Sequence, residues 1–329
     1  MTFKQTLQIS FVLVFTISIA QAQRNTNPYN PEPKMKMLKK KTGEKPTKMH
    51  FLVFGDSKGS IHFPAVLKRA DSLQPQFCIT TADLVNRGGG EIGKVDYKKL
   101  DSMGGWFMKK YPMWPTVGNH EESGGDDGVE NFTNFFGMKK AMYSFTYGNA
   151  KFIGLPWPKV KEDPKKLKWL KKELKSAKGK HIFIYKHRPH YTLGSKSYND
   201  VEGADTETTK LYDKYNVTAV FSGHDHIYYR TKRNNTHYII SAGAGASIYE
   251  LKREKDALPE DAYYGKRTKE ALKDTNLSKY KFHAPDGTIT EIAEAMYYVL
   301  SVKIDGEKVS IEMIDEKTGK VWDSALIKE

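Results

Sequence analysis

Short apolar runs alternate with amphipathic stretches along this chain, and together they predict an α/β fold. Continuous apolar runs of strand length lie at 50–54, 77–81, 113–117, 181–185 and 217–221. Such runs are expected of strands buried on both faces. Helical spacing of apolar residues predicts helices at 61–73, 97–110 and 164–177. We therefore expect strands and helices to alternate around a largely parallel sheet.

The second half of the chain predicts further strands and one long insertion. Residues 143–147 and 151–155 form a predicted hairpin around Gly148-Asn149. Later strands are predicted at 237–241, 296–304 and 309–314. Residues 250–292 are charged and weakly periodic, which indicates an insertion rather than a second core. We interpret residues 48–329 as one domain that carries this insertion.

The N-terminal segment predicts export. Residues 1–22 have the pattern of a signal peptide, with Lys4, an apolar stretch at 9–20 and the small-residue site Ala20-Gln21-Ala22. An uncleaved anchor is the alternative. Residues 23–47 are rich in Asn, Pro and Lys, which predicts a disordered basic linker. We expect a secreted or periplasmic protein with no transmembrane segment after cleavage.

The charge of the chain does not point to nucleic acid. Of the formal net charge of +14, residues 23–48 contribute +6 and residues 161–180 another +6, so the remainder is close to neutral. A solvated surface, or weak attraction of anionic substrates, explains this distribution. The only cysteine, Cys78, lies in a predicted buried strand. An internal disulfide is therefore excluded.

Several predicted strands are followed by side chains that bind metal ions. They occur in Gly55-Asp56-Ser57, Ala82-Asp83, Gly118-Asn119-His120-Glu121, His187 and Gly223-His224-Asp225-His226. Because ligands of α/β sheets bind beyond the carboxyl ends of the strands, we expect these side chains to meet at one edge. Carboxylate, amide and imidazole groups suit divalent ions. The series therefore predicts a two-ion hydrolytic centre.

The order and spacing of these motifs resemble the calcineurin-like metallophosphoesterases, and in particular bacterial members related to purple acid phosphatases. The resemblance extends over roughly residues 49–305. It implies two packed mixed β-sheets flanked by helices, the four-layer sandwich of that superfamily. It also implies hydrolysis of phosphate esters by a metal-bridging hydroxide, with no phosphoenzyme.

The resemblance assigns a role to each site residue. It implies two ions (Fe, Mn or Zn), which Asp83 bridges. The remaining ligands would be Asn119, His187 and His224 for one ion, and Asp56 and His226 for the other. His120 would stabilise or protonate the leaving oxygen, and Arg87 would contact the phosphate as a bidentate donor.

The chain departs from the family pattern at two positions. Lys58 stands where many members have a histidine ligand, and Asn86 stands where purple acid phosphatases have a tyrosine. The ion at Asp56 therefore lacks its usual fourth protein ligand. We hypothesise that Asn86 either ligates weakly through its amide or orients His120. Lys58 either contacts phosphate or is a solvated lysine.

These observations predict an exported, metal-dependent phosphomonoesterase that acts on a small-molecule phosphate ester. One alternative is a phosphodiesterase of nucleotides or glycerophosphodiesters. Another is a non-catalytic protein that binds a phosphate ligand on the same fold.

Overall fold

The computed structural model describes residues 26–157, 163–192, 202, 206–249 and 297–329, together with the backbone of a strand pair at 280–283 and 289–292. The predicted signal peptide lies outside these residues, as does most of the predicted insertion at 250–292. None of the described helices is long and apolar enough to cross a membrane.

The described strands form two six-stranded sheets and a separate pair. The strands of the first sheet are β1 Lys48–Phe54, β2 Phe77–Thr80, β3 Met113–Trp114, β12 Tyr298–Asp305, β13 Lys308–Asp315 and β14 Val321–Lys328. Those of the second are β4 Tyr143–Tyr147, β5 Ala150–Gly154, β6 His181–Tyr185, β7 Ala219–Ser222, β8 Tyr228–Arg233 and β9 Thr236–Ser241. The pair consists of β10 Tyr280–His283 and β11 Ile289–Ile292.

Both large sheets are mixed and contain a parallel centre. The first runs β14-β13-β12-β1-β2-β3, with β1, β2 and β3 parallel. The second runs β4-β5-β6-β7-β9-β8, with β5, β6, β7 and β9 parallel. Register places Phe54 beside Thr80 and Tyr185 beside Phe221. The loops after these strands therefore begin at one edge of each sheet, as the motif positions predicted.

An aromatic layer holds the two sheets face to face. Phe51 of the first sheet stacks on Phe77, with ring centroids 5.2 Å apart. It also packs edge-on against Phe152 and Phe183 of the second sheet, at 5.2 and 5.4 Å. All four rings are fully buried. Such contacts add about 0.5–1.5 kcal/mol per pair beyond the burial of their area.

Helices cover the outer faces of both sheets. They are α1 Pro31–Thr42, α2 Phe63–Ser72, α3 Gly90–Lys110, α4 Asn119–Glu122, α5 Gly128–Phe135, α6 Pro164–Lys175 and α7 Glu207–Lys214. On the first sheet, Phe54 packs against Phe63 of α2 and Phe107 of α3. On the second, Leu170 and Leu174 of α6 join a separate apolar cluster. The predicted four-layer sandwich is confirmed.

The prediction of a disordered linker is wrong for residues 26–47, because α1 is formed and docked on the domain. Asn30 caps this helix by accepting a hydrogen bond from Glu32 N–H at 2.9 Å. Tyr29 stacks on Phe135 with centroids 4.9 Å apart, and Met35 is buried. A few anchors hold the segment, including Lys34, whose ammonium donates to Met108 O, while most of its other lysines are exposed. The average composition therefore did not predict the docked helix.

Two other differences concern strands. The run predicted at 113–117 pairs only over Met113–Trp114, because Pro115 has no N–H to continue the ladder. Strands β8 and β14 were not predicted. Each lies at the edge of its sheet. The buried β8 carries the polar residues Arg230 and Thr231, and β14 has mostly exposed or half-buried side chains, so neither shows a clear apolar pattern.

Candidate metal centre

The predicted ligands converge where the two sheets meet at their carboxyl edges. Asp56 and Asp83 follow β1 and β2, whereas His187 follows β6. One ligand atom from each of these three residues falls within 4.8 Å of the other two. All three side chains are buried. Strands from both sheets therefore build a single site.

The loops that carry the ligands adopt an unusual backbone conformation. Asp56, Lys58, Asp83 and His224 have φ values of 60°, 45°, 51° and 71°. Non-glycine residues in this left-handed region are uncommon, and such strain concentrates at functional sites. Hydrogen bonds hold the first two loops together: Asp56 N–H donates to Ala82 O, and Lys58 N–H to Asp83 O, both at 2.8 Å.

Two glycines allow the ligand loops to approach one another closely. A Cβ on Gly118 would lie 2.2 Å from Asp83 Oδ1, and one on Gly223 would lie 2.3 Å from Asp56 Oδ2. Both distances are far shorter than any van der Waals contact. Each glycine therefore makes room for a carboxylate from a different strand.

Four donor atoms form one compact group. His187 Nε2 lies 3.0 Å from Asn119 Oδ1 and 3.2 Å from Asp83 Oδ2. His224 Nδ1 lies 3.2 Å from both Asn119 Oδ1 and His187 Nε2. Ligands held about 2.0–2.1 Å from one tetrahedral ion are separated by roughly 3.3 Å. The three separations from His187 and the one between His224 and Asn119 are close to this value, so the atoms around His187 suit a shared cation.

The hydrogen bonds outside this group determine which ring nitrogens face inward. His187 Nδ1 lies 2.8 Å from Thr81 O, and His226 Nδ1 lies 2.7 Å from Ser247 O. A carbonyl oxygen only accepts, so each Nδ1 carries a proton and leaves the Nε2 lone pair for a metal.

The second half of the centre has three donors and one lysine. His226 Nε2 lies 3.4 Å from Asp56 Oδ1. Within the described residues, the buried atoms Asp56 Oδ2 and His226 Nε2 have no hydrogen-bond partner. Lys58 Nζ lies 3.7 Å from Asp83 Oδ2. The position left without a histidine ligand is thus next to an ammonium group.

The field in the centre favours a cation. Burial lowers the pKa of His187, but the carboxylates of Asp83 and Asp56 outweigh burial and raise it to about 9. Burial raises the pKa of Asp83, but the charges of His187, His120 and Lys58 hold it well below its usual range. The donor types, their spacing and this negative field all fit a metal ion.

His120 stands beside the donor group and faces the cavity. Its Nε2 lies 3.8 Å from Asp83 Oδ2. Its Nδ1 donates to the backbone carbonyl of Asn86 at 2.6 Å, and its backbone N–H donates to Asp83 Oδ1 at 3.1 Å. Asn86 therefore does orient His120, but through its main chain rather than its amide.

The structure does not bring Arg87 to the donor group. Arg87 is exposed, and its backbone N–H donates to Asp96 at 2.8 Å. A cavity of about 500 Å³ opens beside the centre, on the side of His226, and is lined by Lys58, Asn86, His120, His226 and Tyr249 among others, but not by Arg87. A direct phosphate contact by Arg87 stays a prediction that this geometry does not favour.

Glu121 organises the site, although sequence reasoning gave it no role. Its buried carboxylate accepts from the backbone N–H groups of Asp83, Leu84 and Gly118 at 3.0, 2.8 and 2.8 Å. Burial and the charge of Asp83 raise the pKa of Glu121 to about 7. The sequence offered one signal for this role: Glu121 directly follows His120 in the motif Gly118-Asn119-His120-Glu121.

Two aromatic rings next to the imidazoles were also missed. Tyr249 stacks on His226 with centroids 4.0 Å apart, and Trp157 lies 5.4 Å from the ring of His224. Arg188 lies over Trp157 at 4.4 Å. These rings fix the imidazole planes, and no periodic pattern in the sequence signals such contacts.

Comparison with known proteins agrees with this geometry. The model of the family described as calcineurin-like phosphoesterase matches residues 49–228. A search of curated protein sequences gives no significant match. The fold is similar to a purple acid phosphatase from yellow lupin seeds, with a TM-score of 0.60 and 18% identity over 86% of this chain. The alignment covers 54% of the lupin enzyme, so this chain spans about half of it.

Two further solved structures share the fold. One is GAP50 of Plasmodium, described as the anchor in the inner membrane complex, with a TM-score of 0.60 and 14% identity over 86% of this chain and 89% of that one. The other is a dimetal phosphatase from Danio rerio, with a TM-score of 0.51 and 9% identity over 86% and 99% of the two chains.

Proposed function

This chain belongs to the calcineurin-like phosphoesterases, and on that basis we propose that it is a metal-dependent hydrolase of small phosphate monoesters. The observation that carries the proposal is the group of donor atoms around His187 Nε2, which lies 3.0–3.2 Å from Asn119 Oδ1, Asp83 Oδ2 and His224 Nδ1. Residues far apart in the sequence meet there.

A cation in this group would supply Lewis acidity and would neutralise charge on the phosphoryl oxygens. The residues of the chain hold it and direct it towards the cavity. Thr81 and Ser247 fix the ring orientation of His187 and His226 through their carbonyl oxygens. Glu121 holds the loops of Asp83 and Gly118 in one position. These constraints lower the reorganisation needed during reaction.

His120 is the candidate general acid. Its Nδ1 proton is committed to Asn86 O, so Nε2 is the nitrogen that exchanges protons with the cavity. A second proton on Nε2 could be passed to the leaving oxygen of an ester. Proton transfer of this kind contributes about 10²–10⁴-fold to rate.

The test is metal-dependent hydrolysis by purified protein. The protein is stripped with a chelator and reconstituted separately with Mn, Zn, Fe and Mg. Release of nitrophenol is then measured from para-nitrophenyl phosphate and from bis(para-nitrophenyl) phosphate. We expect turnover that requires added metal and favours the monoester. His224→Ala, which removes one of the four donors, should lose both metal and turnover.

Other results would support the alternatives. Preference for the bis-ester would indicate a phosphodiesterase. Tight binding of inorganic phosphate with no turnover under any metal would indicate a binding protein. The fold similarity to GAP50, whose description names an anchor, and the incomplete donor set at Asp56 favour that second candidate.

We also propose that the protein is exported. The support is the sequence of residues 1–22, with its apolar stretch and small-residue cleavage site. Expression in the source organism followed by cell fractionation and N-terminal sequencing tests this. A mature N-terminus near Gln23 in the exported fraction is expected, and an intact N-terminus in the cytosol would contradict export.

A further inference from the structure

Lys58 is placed in the centre by the fold rather than by a flexible side chain alone. Its backbone is left-handed, with φ of 45°. Its N–H donates to Asp83 O at 2.8 Å, and the next N–H, of Gly59, donates to Leu84 O at 3.2 Å. Ser57 Oγ also donates to Leu84 O, at 2.9 Å. The loop after β1 is therefore fixed on both sides of Lys58.

The ammonium of Lys58 lies beside the Asp83 oxygen that a second cation would share. Its Nζ is 3.7 Å from Asp83 Oδ2, and only 20% of its side chain is exposed. The same oxygen is 3.2 Å from His187 Nε2 and 3.8 Å from His120 Nε2. Asp83 Oδ2 is thus approached by nitrogens from three different loops.

A second ion at this oxygen would face two disadvantages. The described residues offer it three donor side chains, Asp56, Asp83 and His226, in place of the four at the other position. It would also stand close to a fixed positive charge, and like charges at this range in a partly buried site repel strongly. The Lys58 ammonium, by contrast, needs as partners only the Asp83 carboxylate and an oxygen of the substrate phosphoryl group.

The position of Lys58 also suits a phosphoryl group. Lys58, His120 and His226 line the same cavity of about 500 Å³ beside the centre. A phosphoryl group beside the four-donor position would direct one oxygen towards the Asp56 side. Lysine binds such an oxygen as a point charge.

We propose that Lys58 replaces the second metal ion: the centre holds one tightly bound ion, and the Lys58 ammonium binds the substrate phosphoryl group from the Asp56 side. This inference rests on the proposed function and alters its expected count of ions. It gives a chemical role to Lys58, which stands where many members of the family have a histidine ligand.

The first test is the number of bound ions. Wild type, Lys58→Met and Lys58→His are saturated with Mn or Zn, dialysed, and analysed by elemental mass spectrometry against protein concentration. We expect one ion per chain in wild type. We expect a second ion in Lys58→His, because this change removes the ammonium and adds a fourth donor. Two ions in wild type would overturn the inference.

The second test is the affinity for inorganic phosphate, measured by calorimetry on the metal-loaded proteins. Loss of one charge-assisted contact should weaken binding by about 10- to 100-fold in Lys58→Met. Lys58→Arg should retain part of the affinity. Lys99→Met is the matched control, since Lys99 lies beside Gly59 of the same loop but outside the cavity lining. Equal phosphate affinities in the two methionine variants would contradict the inference.

The outcomes separate this inference from the proposed function. One ion and Lys58-dependent phosphate binding without any turnover would support the role of Lys58 and reject the hydrolase. Turnover with two ions would support the hydrolase and reject replacement by Lys58. A protein that holds no ion at all would reject both.

Discussion

His120 donates its Nδ1 proton to the main-chain carbonyl of Asn86 at 2.6 Å. This bond fixes the tautomer of the imidazole and leaves Nε2 for the cavity that His120 lines. A purely main-chain partner also means that the identity of residue 86 does not determine the orientation of the ring.

Replacement of His120 should therefore affect chemistry more than metal binding. We expect His120→Asn to lower kcat by about 10²–10⁴-fold, with the metal content unchanged. Asn86→Ala keeps the carbonyl and is the control, with an expected change in kcat of less than about fivefold. If Asn86→Ala lost metal, its amide would be a ligand; if it lost turnover as fully as His120→Asn, orientation through the carbonyl would be wrong.

Metal removal should lower thermal stability through the four-donor group. An ion present at 1,000 times its dissociation constant stabilises the folded state by about 4 kcal/mol. Chelation should reverse this, because Asp56 and Asp83 are then left buried without their counter-ion. Calorimetric Tm with and without chelator measures the effect. His224→Ala should show little response to metal, and an unchanged response in that variant would contradict the assignment.

Glu121→Gln should destabilise the site and the fold. The carboxylate accepts three backbone N–H bonds, and an amide would turn an NH₂ group towards one of these donors. We expect a loss of about 2–3 kcal/mol in the free energy of unfolding, together with weaker metal binding. Glu122→Gln changes the half-buried neighbour and should cost less than about 0.5 kcal/mol. Urea unfolding of both variants measures the free energy of unfolding. Equal losses of this free energy would contradict the role of Glu121 in holding the loops of Asp83 and Gly118 together.

A further stability prediction concerns the buried charged group formed by Lys186, Glu202 and His190. Glu202 pairs with Lys186 and lies 3.4 Å from His190 Nε2, and the paired side chains are at most 5% exposed. Glu202→Ala removes the carboxylate that pairs with the buried Lys186 ammonium, and should cost about 3–5 kcal/mol. The exposed pair Lys303–Glu312, at 2.8 Å, provides the control: Glu312→Ala should cost less than about 1 kcal/mol. Similar unfolding midpoints for Glu202→Ala and Glu312→Ala would contradict the greater loss of stability expected for the buried pair.

His237 should make the fold sensitive to acid. Burial, and then the charges of Arg230 and Lys232, lower the pKa of His237 to about 3, whereas the unfolded chain has a pKa of about 6.5. The unfolded state therefore binds the proton first, so stability is full above about pH 6.5 and falls as pH drops towards 3. The expected contribution approaches about 1.4 kcal/mol per pH unit.

The matching experiment measures urea unfolding of wild type and His237→Gln at pH 7 and pH 5. Loss of the ring contact lowers stability at both pH values, but the drop between them should be smaller in the variant. An equal or larger drop in His237→Gln would mean that other groups cause the acid sensitivity of this region.

Local pattern predicted the parts of the fold whose side chains face a single environment. Strands 50–54 and 181–185 are apolar after an initial histidine and match β1 and β6 closely. The strand β14 and the helix α1 were missed because each mixes buried and exposed residues without a clear period. β14 is stabilised by pairing with the preceding strand β13. The segment of α1 is held by a partner distant in sequence, Phe135 of α5, which stacks on Tyr29, and such a partner cannot be seen in the local pattern.

The identity of the metal-binding side chains and their places after successive strands follow from the sequence, because residue type and strand order can both be read along the chain. Which atoms meet depends on the packing of the two sheets. That packing brings the main-chain carbonyl of Asn86 to His120, leaves the exposed Arg87 outside the cavity lining and brings the Lys58 ammonium to 3.7 Å from Asp83 Oδ2. These outcomes depend on loop backbones in the left-handed region and on hydrogen bonds between separate strands, which exist only once both sheets have packed.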